Sequence, residues 1–361
     1  MPEAPTSNLS IYRARPTVRI DTQADTRVSE LIVGMELLEQ EGGLSSLEMR
    51  FTNVASDTQG SADLAFEGDR TLRLGAEIAV YAGDEESPQE IFQGIITGLE
   101  AMFYQDTAPE LMVLAEDRFQ QARMARRTVV HTDISLADLG RQLADRLSLT
   151  PVITGLTDTI GTWVQLNESD LAFLRRLLPR YDCDMQIVGS ELHLSPRSDV
   201  QRGQITLELN SQLRQARVLA DLAHQVTEVT VTGWDAAQGQ RISNRSSGSN
   251  LLPGQGQTGR QILQSSLGDR PHHISHLAVN TPSEAQAIAD AAFDDRARRF
   301  VCLEGVAEGN PGLRVGTQVS VMGLGDRFNN SYYVVQACHR YDLQRGYETE
   351  FRAECAYWGG Q

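Results

Sequence analysis

Alternating hydrophobic and polar positions dominate the first third of the chain. The stretch LIVGMELLEQEGGLSSLEMRF (31–51) predicts two strands around a turn at Glu41, Gly42 and Gly43. The stretch EIFQGIITGLEAMFYQDTAPELMVLAED (90–117) predicts two more, around a turn at 106–109. Because strands joined by such short turns pair antiparallel, residues 1–124 are predicted to form an antiparallel β-barrel.

A helical pattern then replaces the alternation. The stretch HTDISLADLGRQLADRLSLTPV (131–152) carries Ser135 and Asp138 at the spacing of a capping box, followed by leucines on one helical face. Farther on, MQIVG and ELHLSP predict a β-hairpin, so residues 125–205 are predicted to form an α+β middle region. The leucines of the helical face are Leu136, Leu139, Leu143 and Leu147.

Two acids precede a second leucine-rich helix, in the stretch VQLNESDLAFLRRLL (164–178). Asn167 is predicted to cap this helix, with Glu168 and Asp170 in the first turn, where carboxylates complement the helix dipole. The alternative is general acid and base catalysis, which needs a second acidic pair opposite the first, and no motif supplies one. The stripe behind the acids contains Leu171, Leu174 and Leu178, and Phe173 and Leu177 lie beside it.

Alternation returns in VTEVTVTGW (226–234), which predicts a strand. The polar residues at about 244–275 predict a loop or partly mobile insertion. A threonine cap, a proline and a capping glutamate at 281–284 predict a helix over about 282–299. Strands follow to Tyr357, so residues 206–361 are predicted to form a second β-barrel that carries this loop and helix.

An internal repeat relates the two predicted barrels. LRLGAEIAVYAG, from Leu72, matches LRVGTQVSVMGL, from Leu313, with Gly75 and Gly316 at equivalent positions. Each copy is followed by an aromatic strand, a turn and a closing strand, which predicts duplication of one β-barrel. The alternative is that any LxxG turn before a strand looks like any other. Side-chain parity is kept between Leu74, Ala76, Ile78 and Val80 and their partners Val315, Thr317, Val319 and Val321.

Composition removes several function classes. The 361 residues are 40% hydrophobic, which suits two or three domains with real cores. The formal net charge is −16 and no residue is a lysine, which excludes a phosphate-binding P-loop and a pyridoxal Schiff base. The acidic chain also lacks the clustered cations that bind nucleic-acid phosphates, so no sequence-specific binding of nucleic acid is expected.

The chain shows no targeting or membrane signal. No apolar run approaches the roughly 20 residues that span a bilayer, and MPEAPTSNLSIYRARP lacks the apolar centre of a signal peptide. We therefore expect synthesis and retention in the cytoplasm. Cysteines in that compartment are reduced thiols, and none of the four forms a CxxC pair. They are Cys183, Cys302, Cys338 and Cys355.

Two patterns invite a cofactor or metal interpretation. The glycines of PGQGQTG (253–259) match GxGxxG, but a dinucleotide site needs this motif between a buried strand and a helix, and here polar residues surround it. His272, His273 and His276 are weak candidate metal ligands, because no acidic or thiol partner stands at a set spacing. No nucleophile motif such as GxSxG occurs, so no cofactor and no catalytic residue is predicted.

Two stretches resemble a known family. VQLNESDLAFLRRLL with the hairpin ending in ELHLSPR, and GLRVGTQVSVMGLGDRFNNSYYVVQACHRYDLQRGYETEFRA, are similar to the signature of phage late control D and VgrG-like hub proteins. The resemblance runs from about residue 15 to 357. It departs at 178–182, where LPRYD stands in place of a glycine-containing helix end. The structural signature comprises Asn167, Glu168, Asp170, Phe173, Leu174, Gly75 and Gly316.

The resemblance implies a structural role without enzymatic activity: the central hub of a contractile tail or injection particle. Such hubs are homotrimers whose chains each contribute two tube-like β-barrels and an α+β region. Six similar barrels would meet a sixfold inner tube, and the threefold symmetry would meet a spike. An acidic lumen would let DNA or acidic cargo pass without adhering.

Implied partners are other copies of the chain, the inner tube or a tube-initiator protein, a spike, and baseplate wedge or adaptor proteins. VgrG-like chains continue into a needle, whereas this one stops at AYWGGQ, so a separate spike protein is expected to dock, with Tyr357 and Trp358 as candidate contacts. Two other functions remain open: a sixfold tube-initiator or adaptor of the same particle, and a cell-wall hydrolase carried in the baseplate.

Overall fold

Strands dominate the structure, which confirms the predicted mainly β fold. A computed structural model describes residues 15–56, 62–66, 71–83 and 87–359. Most of the N-terminal stretch considered for a signal peptide, and the last two residues of the chain, lie outside these ranges. No helix in the described residues has the length and apolar character needed to cross a bilayer.

The strands fall in three stretches of the chain, and their bounds are as follows. The first stretch contains β1 (Thr17–Ile20), β2 (Gln23–Ala24), β3 (Ile32–Gln40), β4 (Ser46–Thr52), β5 (Ala55–Ser56), β6 (Ala62–Asp63), β7 (Glu77–Ala82), β8 (Gln89–Met102) and β9 (Glu110–Glu116). The middle stretch contains β10 (Arg126–His131), β11 (Thr150–Ile153), β12 (Trp163–Ser169), β13 (Cys183–Val188) and β14 (Glu191–Pro196). The last stretch contains β15 (Gln204–Glu208), β16 (Leu213–Ala220), β17 (Glu228–Asp235), β18 (Gln240–Ser246), β19 (Gln257–Thr258), β20 (Pro271–Ile274), β21 (Val301–Glu308), β22 (Gln318–Met322), β23 (Asn330–Asp342), β24 (Gly346–Cys355) and β25 (Tyr357–Trp358).

The α-helices begin at side-chain caps where the sequence offers them. In the third, Ser135 accepts a hydrogen bond from the backbone of Asp138 at 3.0 Å, as the capping spacing predicts. In the sixth, Thr281 accepts from the backbone of Glu284 at 3.2 Å, which confirms the second predicted start. The helices are α1 (Thr26–Glu30), α2 (Phe119–Met124), α3 (Leu136–Leu147), α4 (Asp170–Leu177), α5 (Gly259–Leu267) and α6 (Pro282–Arg298).

One sheet of 13 strands runs through the first and last stretches of the described chain. Its order is β16-β21-β24-β23-β3-β4-β9-β8-β7-β1-β2, with β22 beside β23 and β15 beside β22. The predicted hairpins β3–β4 and β8–β9 are present with the expected antiparallel pairing. The apolar side chains of this sheet form two clusters, one around Met49 and Val113 and the other around Val319 and Phe351.

Two sets of five strands in this sheet pair in the same pattern. In order, β3-β4-β9-β8-β7 matches β16-β21-β24-β23-β22. The match extends to single residues. Ile78 lies opposite Gly94 in the first set and Val319 opposite Tyr332 in the second, as the aligned repeat requires.

Two β-bulges also recur at equivalent positions. In β8 the bulge lies between Ile96 and Gly98, opposite Ala115 and Leu114, and in β23 it lies between Val334 and Gln336, opposite Ala353 and Arg352. The second bulge lies between Ile32 and Gly34 in β3 and between Leu213 and Gln215 in β16. Because a bulge inserts one unpaired residue and bends the strand, its recurrence in the same register marks a detailed structural correspondence.

The sets differ in their sixth strand and in the exposure of one repeat residue. β1 runs antiparallel to β7, whereas β15 runs parallel to β22. Leu74 is 63% exposed although its counterpart Val315 is buried, so the predicted parity holds for three of the four pairs. The other six residues are buried: Ala76, Ile78, Val80, Thr317, Val319 and Val321.

The two strand sets are joined directly. Residues 336–342 of β23 pair antiparallel with residues 40–34 of β3, so the joint is part of the continuous sheet. The middle region, with the predicted hairpin β13–β14, packs α3 and α4 into a separate core. All four predicted leucines of α3 are buried in that core, which confirms the helical stripe.

The prediction of a loop over 244–275 is wrong. This range includes the end of β18, the capped helix α5 and the strand β20, which pairs parallel with β17. Its glycines and serines concealed a short apolar pair, Ile262 and Leu263, with which α5 packs against the rest of the protein. Together β17, β18, β20 and α6 form a fourth core around Val229, Val231 and Phe293.

Candidate functional site

Ser169, and not Asn167, caps α4. The backbone N–H of Ala172 donates to the Ser169 hydroxyl at 3.2 Å, because β12 continues two residues beyond the predicted helix start. Asn167 is the extra residue of a bulge in β12, has φ 49°, and donates its backbone N–H to the Thr128 hydroxyl at 3.2 Å. Asparagine adopts this left-handed conformation more readily than most residues, so its role is to shape the strand.

The two acids of this stretch are held by arginines. Glu168 accepts from Arg176 at 2.8 and 3.0 Å, and these hydrogen bonds lower the pKa of its carboxyl group. Asp170, buried at the start of α4, accepts from Gln165 and from Arg146, both at 3.0 Å. Since both carboxylates are engaged by cationic or amide donors, their contacts are those of a structural network.

Phe173 and Leu174 belong to the core of the middle region. Each is 2% exposed, and the Phe173 ring stacks on that of His131 with centroids 5.2 Å apart. The helix then passes into a 3-10 turn (Leu178–Tyr181) that ends at Asp182 with φ 50°. Asp182 therefore adopts the left-handed conformation that a glycine would take more easily at a helix end.

Gly75 and Gly316 occupy matched turns in the two strand sets. Gly75 has φ +80° and donates to the carbonyl of Ile96 at 2.8 Å, and Gly316 has φ +87° and donates to the carbonyl of Val334 at 2.9 Å. A left-handed conformation at both positions explains why the repeat has glycine there. Their surroundings differ, because only at Gly316 would an added Cβ meet neighbouring atoms, those of Arg202 and Val200.

The candidate histidines do not converge. His272 lies 3.2 Å from the guanidinium of Arg296, and His273 lies 3.1 Å from the hydroxyl of Thr232. Burial and the nearby Arg296 lower the pKa of His272. A guanidinium beside this imidazole opposes a bound cation, and the described residues contain no group of three or more metal-ligating side chains.

Tyr357 and Trp358 form the short strand β25, which pairs with β19 immediately before α5. Both are half-buried, and an added Cβ at Gly254 or Gly256 would clash with this C-terminal strand. The GxGxxG match is therefore explained by close backbone approach rather than by a nucleotide. The candidate docking residues are thus already part of the fold on one side.

Six charged side chains meet where the first strand set, the middle region and the last stretch come together. Sequence patterns do not reveal this cluster, since Glu41 and Arg298 are far in the chain from the other four members, which lie within 182–202. Its ion pairs are Arg202 with Asp184 at 2.6 Å, Arg298 with Asp182 at 2.8 Å, and Arg197 with Glu41 at 2.9 Å.

The cluster is deeply buried. The side chain of Asp184 is 0% exposed and that of Arg298 is 2% exposed. Burial raises the pKa of the Glu41 carboxyl, and Arg197 opposes this rise. Removing one partner from such a pair leaves an uncompensated buried charge, so each pair depends on the relative position of two elements. The cluster is therefore suited to holding these parts of the chain in fixed relative positions.

A further buried pair lies beside the sheet joint. Glu39 accepts from Arg314 at 2.9 Å. Burial alone would raise the pKa of Glu39, but Arg314 outweighs this effect and holds the pKa below its usual value. Nearby, His339 forms a 2.8 Å hydrogen bond with the hydroxyl of Tyr347, and burial lowers the pKa of His339 to about 4. Ionic and aromatic contacts therefore support the joint on its core side.

The four cysteines are free thiols. Three are buried and Cys302 is half-buried. Burial raises the pKa of Cys183 and Cys355 to about 12 and that of Cys338 to about 11. Because the thiolate is the reactive form, these environments suppress nucleophilic chemistry.

A cleft of about 1150 Å³ separates the middle region from α6. Its walls carry several carboxylates, but Asp294 accepts from the backbones of Ser249 and Asn250 at 3.0 and 2.8 Å, and Asp290 accepts from the Ser246 hydroxyl. These acids are engaged in loop contacts. Asp290 and Asp294 are therefore not a free acid–base pair of the kind that a hydrolase uses.

Solved tail proteins share this fold. The 43 kDa tail protein of prophage MuSo2 from Shewanella oneidensis aligns with a TM-score of 0.69 and 10% identity, over 94% of this chain and 97% of that one. A tail protein from Neisseria meningitidis aligns with a TM-score of 0.67 and 11% identity, over 94% and 96%. An Escherichia coli component of the type VI secretion system, described as similar to the phage T4 tail proteins gp27 and gp5, gives 0.56 and 14%, over 91% and 76%. The chain therefore has the fold of phage tail and injection-system proteins.

A family model built from sequences also matches the chain. The chain belongs to the family described as the Alg8 N-terminal domain, whose model matches residues 53–342. That description names neither an activity nor a partner. No curated protein sequence matches the chain significantly.

Proposed function

We propose that the protein is the non-enzymatic central hub of a contractile tail or injection particle, assembled as a homotrimer and related to late control D and VgrG-like proteins. The observation that carries this proposal is the pair of strand sets with one register and two shared bulges, joined edge to edge in one sheet. Duplication of one barrel accounts for this correspondence more simply than two independent origins. On this basis residues 1–124, 125–205 and 206–361 are the barrel, middle and second barrel units.

Duplication solves a problem of symmetry. A closed ring needs equivalent surfaces on successive units. Three chains with two similar barrels each would present six nearly equivalent units to a sixfold inner tube. The same three chains would keep true threefold symmetry towards a spike. The unequal sixth strands, β1 and β15, would be a point where the two barrels differ.

The partners in this proposal are the inner tube or a tube-initiator protein, baseplate wedge or adaptor proteins, and a separate spike protein. Made in the cytoplasm, the chain would be incorporated into the particle during assembly. The fold likeness to tail and secretion components supports this class of partner. Tyr357 and Trp358 are proposed spike contacts through the sides of β25 that the fold leaves open.

The hypothesis of an acidic lumen concerns the charges on the exposed faces of the sheet. One such face is formed by β3, β16, β21, β23 and β24. A groove of about 660 Å³ on this face is lined by three glutamates and three arginines. Because acidic and basic side chains are equal in number, this groove gives no support to a uniformly acidic surface. The charged side chains are Glu36, Glu304, Glu350, Arg217, Arg340 and Arg352.

Native mass spectrometry of the chain, alone and with the tube and spike proteins encoded nearby, tests the hub proposal. A trimer that takes up a trimeric spike is expected. A hexamer would favour the tube-initiator, and a monomer that persists with both partners present would overturn the hub. Release of soluble fragments from purified peptidoglycan would support the hydrolase instead.

Spike contact is tested separately by Trp358→Ala and Tyr357→Ala. Both variants are expected to weaken spike uptake in the same native spectra, provided that circular dichroism shows them folded. The matched control is Trp234→Ala, which removes an aromatic residue that is 57% exposed on β17. Equal spike uptake by all three variants would remove Tyr357 and Trp358 from the interface.

A further inference from the structure

Several strand edges of the 13-stranded sheet have no partner within the described chain, and two of them belong to β16 and to the end of β8. β16 is the terminal strand and pairs only with β21. β8 is paired with β7 and with the turn before β7 up to Ile96, and beyond that residue only its other edge, towards β9, is paired within the described chain. An open edge presents unpaired N–H and C=O groups and is a ready template for another strand.

In the other copy of each repeated strand, the equivalent edges belong to β23 and β3, and these two edges pair with each other. β23 leaves β22 after Tyr333, and its following edge pairs with β3. At the bulge of β23, the carbonyl of Val335 accepts the first hydrogen bond of this joint, from the backbone of Glu41 at 3.1 Å. The residues then paired are Gln336 with Gln40, Ala337 with Glu39, Cys338 with Leu38, His339 with Leu37, Arg340 with Glu36, Tyr341 with Met35 and Asp342 with Gly34.

Side-chain burial shows what the open edges lack. On β23, Ala337 is 0% exposed and Tyr341 is 6% exposed. Their counterparts at the end of β8 are Leu99 and Phe103, which are 39% and 64% exposed. Leu219 on β16 is 54% exposed. Exposed apolar side chains that flank an unpaired edge mark an interaction surface.

We propose that the end of β8 in one copy pairs antiparallel with β16 of a neighbouring copy, in the register of the internal joint. This inference rests on the proposed ring of repeated barrels. The matched bulges relate β23 to β8 and β3 to β16, and so fix the register without adjustment. The core-side pairs are Leu99 with Ala220, Ala101 with Val218, and Phe103 with Ala216.

The same correspondence predicts the first hydrogen bond of the interface. Thr97 is the extra residue of the β8 bulge, as Val335 is in β23. The Thr97 carbonyl would therefore accept from the backbone of Leu222 in the neighbouring copy. β8 would lengthen by two residues on association, because Phe103 and Tyr104 correspond to the paired Tyr341 and Asp342.

Side chains on the opposite face are compatible with this register. Glu100 would lie opposite Leu219 and diagonal to Arg217, and diagonal neighbours across strands lie within reach of long side chains. Arg217 now pairs at 3.1 Å with Glu304, in a contact where both side chains are mostly exposed. Sharing the guanidinium with Glu100 would place a charge pair on the solvent side of the new joint.

Because the surface on β8 differs from that on β16, the contact is head to tail and repeats around a ring or along a fibre. Each barrel would contribute two edges to these contacts: one from β8 or its counterpart β23, and one from β3 or its counterpart β16. The covalent chain supplies every second contact, and the interface between copies supplies the others.

Disulfide trapping tests the register. Leu99→Cys and Ala220→Cys are placed in one chain that also carries Cys302→Ser, since Cys302 is the native cysteine that is not buried. Paired residues allow the Cβ separation of about 3.5–4.5 Å that a disulfide needs. Under mild oxidation we expect covalent oligomers on non-reducing gels. The control combines Leu99→Cys with Leu219→Cys, whose side chains would project from opposite faces.

The native mass of the unmodified chain separates the two levels of the proposal. Selective trapping through Leu99 and Ala220 supports the register whatever the subunit number. A trimer that forms no such disulfide, or traps the control equally, would overturn the register and leave the hub proposal intact. A chain that shows no trapping and stays monomeric with the tube and spike proteins present would overturn both.

A second measurement avoids reliance on oxidation. Phe103→Glu is expected to raise the dissociation constant of the oligomer by about tenfold or more, because it puts charge into an apolar contact. Leu219→Glu is expected to raise this constant as well, because its carboxylate would lie directly opposite that of Glu100. Leu267→Glu is the control, since Leu267 is 74% exposed and belongs to α5, outside both edge strands. Analytical ultracentrifugation over a concentration series gives the constants. Equal constants for all three variants would exclude this interface.

Discussion

Asp184 lies 2.6 Å from the guanidinium of Arg202, and its side chain has no exposed surface. The pair connects the middle region, through β13, with the residues that lead into β15. Arg202 also donates to the carbonyl of Val315 at 3.2 Å, next to the turn of the second repeat. One arginine thus links the middle core to the turn that begins the second strand set.

Arg202→Met is expected to lower the free energy of unfolding by about 3–5 kcal/mol, because it leaves the Asp184 charge buried and unpaired. Urea denaturation followed by tryptophan fluorescence measures this change. Arg217→Met is the matched control: its partner is Glu304, both side chains are mostly exposed, and a change within about 1 kcal/mol is expected. Similar losses in both variants would show that burial of the pair is unimportant.

His339 and Asp117 are expected to impose opposite pH dependences on stability. Burial holds the pKa of His339 at about 4, below its ordinary value of 6.5. Its contribution is therefore complete above pH 6.5 and is lost as pH falls towards 4, since only the unfolded state gains the proton. Burial raises the pKa of Asp117 from 3.8 to about 6, so its contribution falls as pH rises through that range.

One substitution at each residue tests these dependences. The quantity measured is the slope of the free energy of unfolding against pH between 4 and 6.5. His339→Gln should flatten the rise of stability with pH, by up to about 3 kcal/mol across the window. Asp117→Asn should make that rise steeper. An unchanged slope in either variant would show that the corresponding group titrates alike in the folded and unfolded states.

Gly75→Ala and Gly316→Ala should differ in cost although the turns match. Both residues have positive φ, which costs an alanine about 1–2 kcal/mol. At Gly75 an added Cβ meets nothing within 4 Å, whereas at Gly316 it would lie 2.7 Å from Arg202 and 2.8 Å from Val200. Chemical denaturation should therefore show the larger loss for Gly316→Ala, and equal losses would contradict the described packing.

Gly256→Ala is expected to displace the C-terminal strand β25, because the new Cβ would overlap the backbone of Trp358 and Gly359. The displaced strand should become accessible to limited proteolysis and the emission of Trp358 should shift to the red. Gly239→Ala is the control, since Gly239 also has positive φ but has open space around it. Identical digestion of both variants would argue against close packing of β25.

Local patterns predicted several of the longer elements of the fold. Alternation identified β3, β4, β8 and β9, and the spacing of leucines identified α3, because one buried face imposes a period on the sequence. The start of α4 was predicted two residues early. Asn167 and Ser169 are both good capping residues, and only the extent of β12 decides between them.

The features that the sequence could not supply depend on long-range contact. Arg197 and Glu41 form an ion pair although they are far apart in the chain, and no local pattern distinguishes them from surface charges. Similarly, α5 was hidden in a stretch rich in glycine and serine, because its apolar side is only a few residues wide. The repeat was visible in sequence, but its shared bulges require the pairing of strands to be seen.

Those bulges change which sequence positions of a strand, even or odd, face the core. In β8 the core-facing positions are even from Phe92 to Ile96 and, after the extra residue Thr97, become odd from Leu99 onward. Loss of Thr97 would leave Gly98 opposite Leu114 and Leu99 opposite Val113, so every later side chain would keep its face, while the bend at the bulge would be lost. A one-residue deletion there would straighten the strand without changing which side chains face the core, so the extra residue sets the direction in which the free edge leaves the barrel.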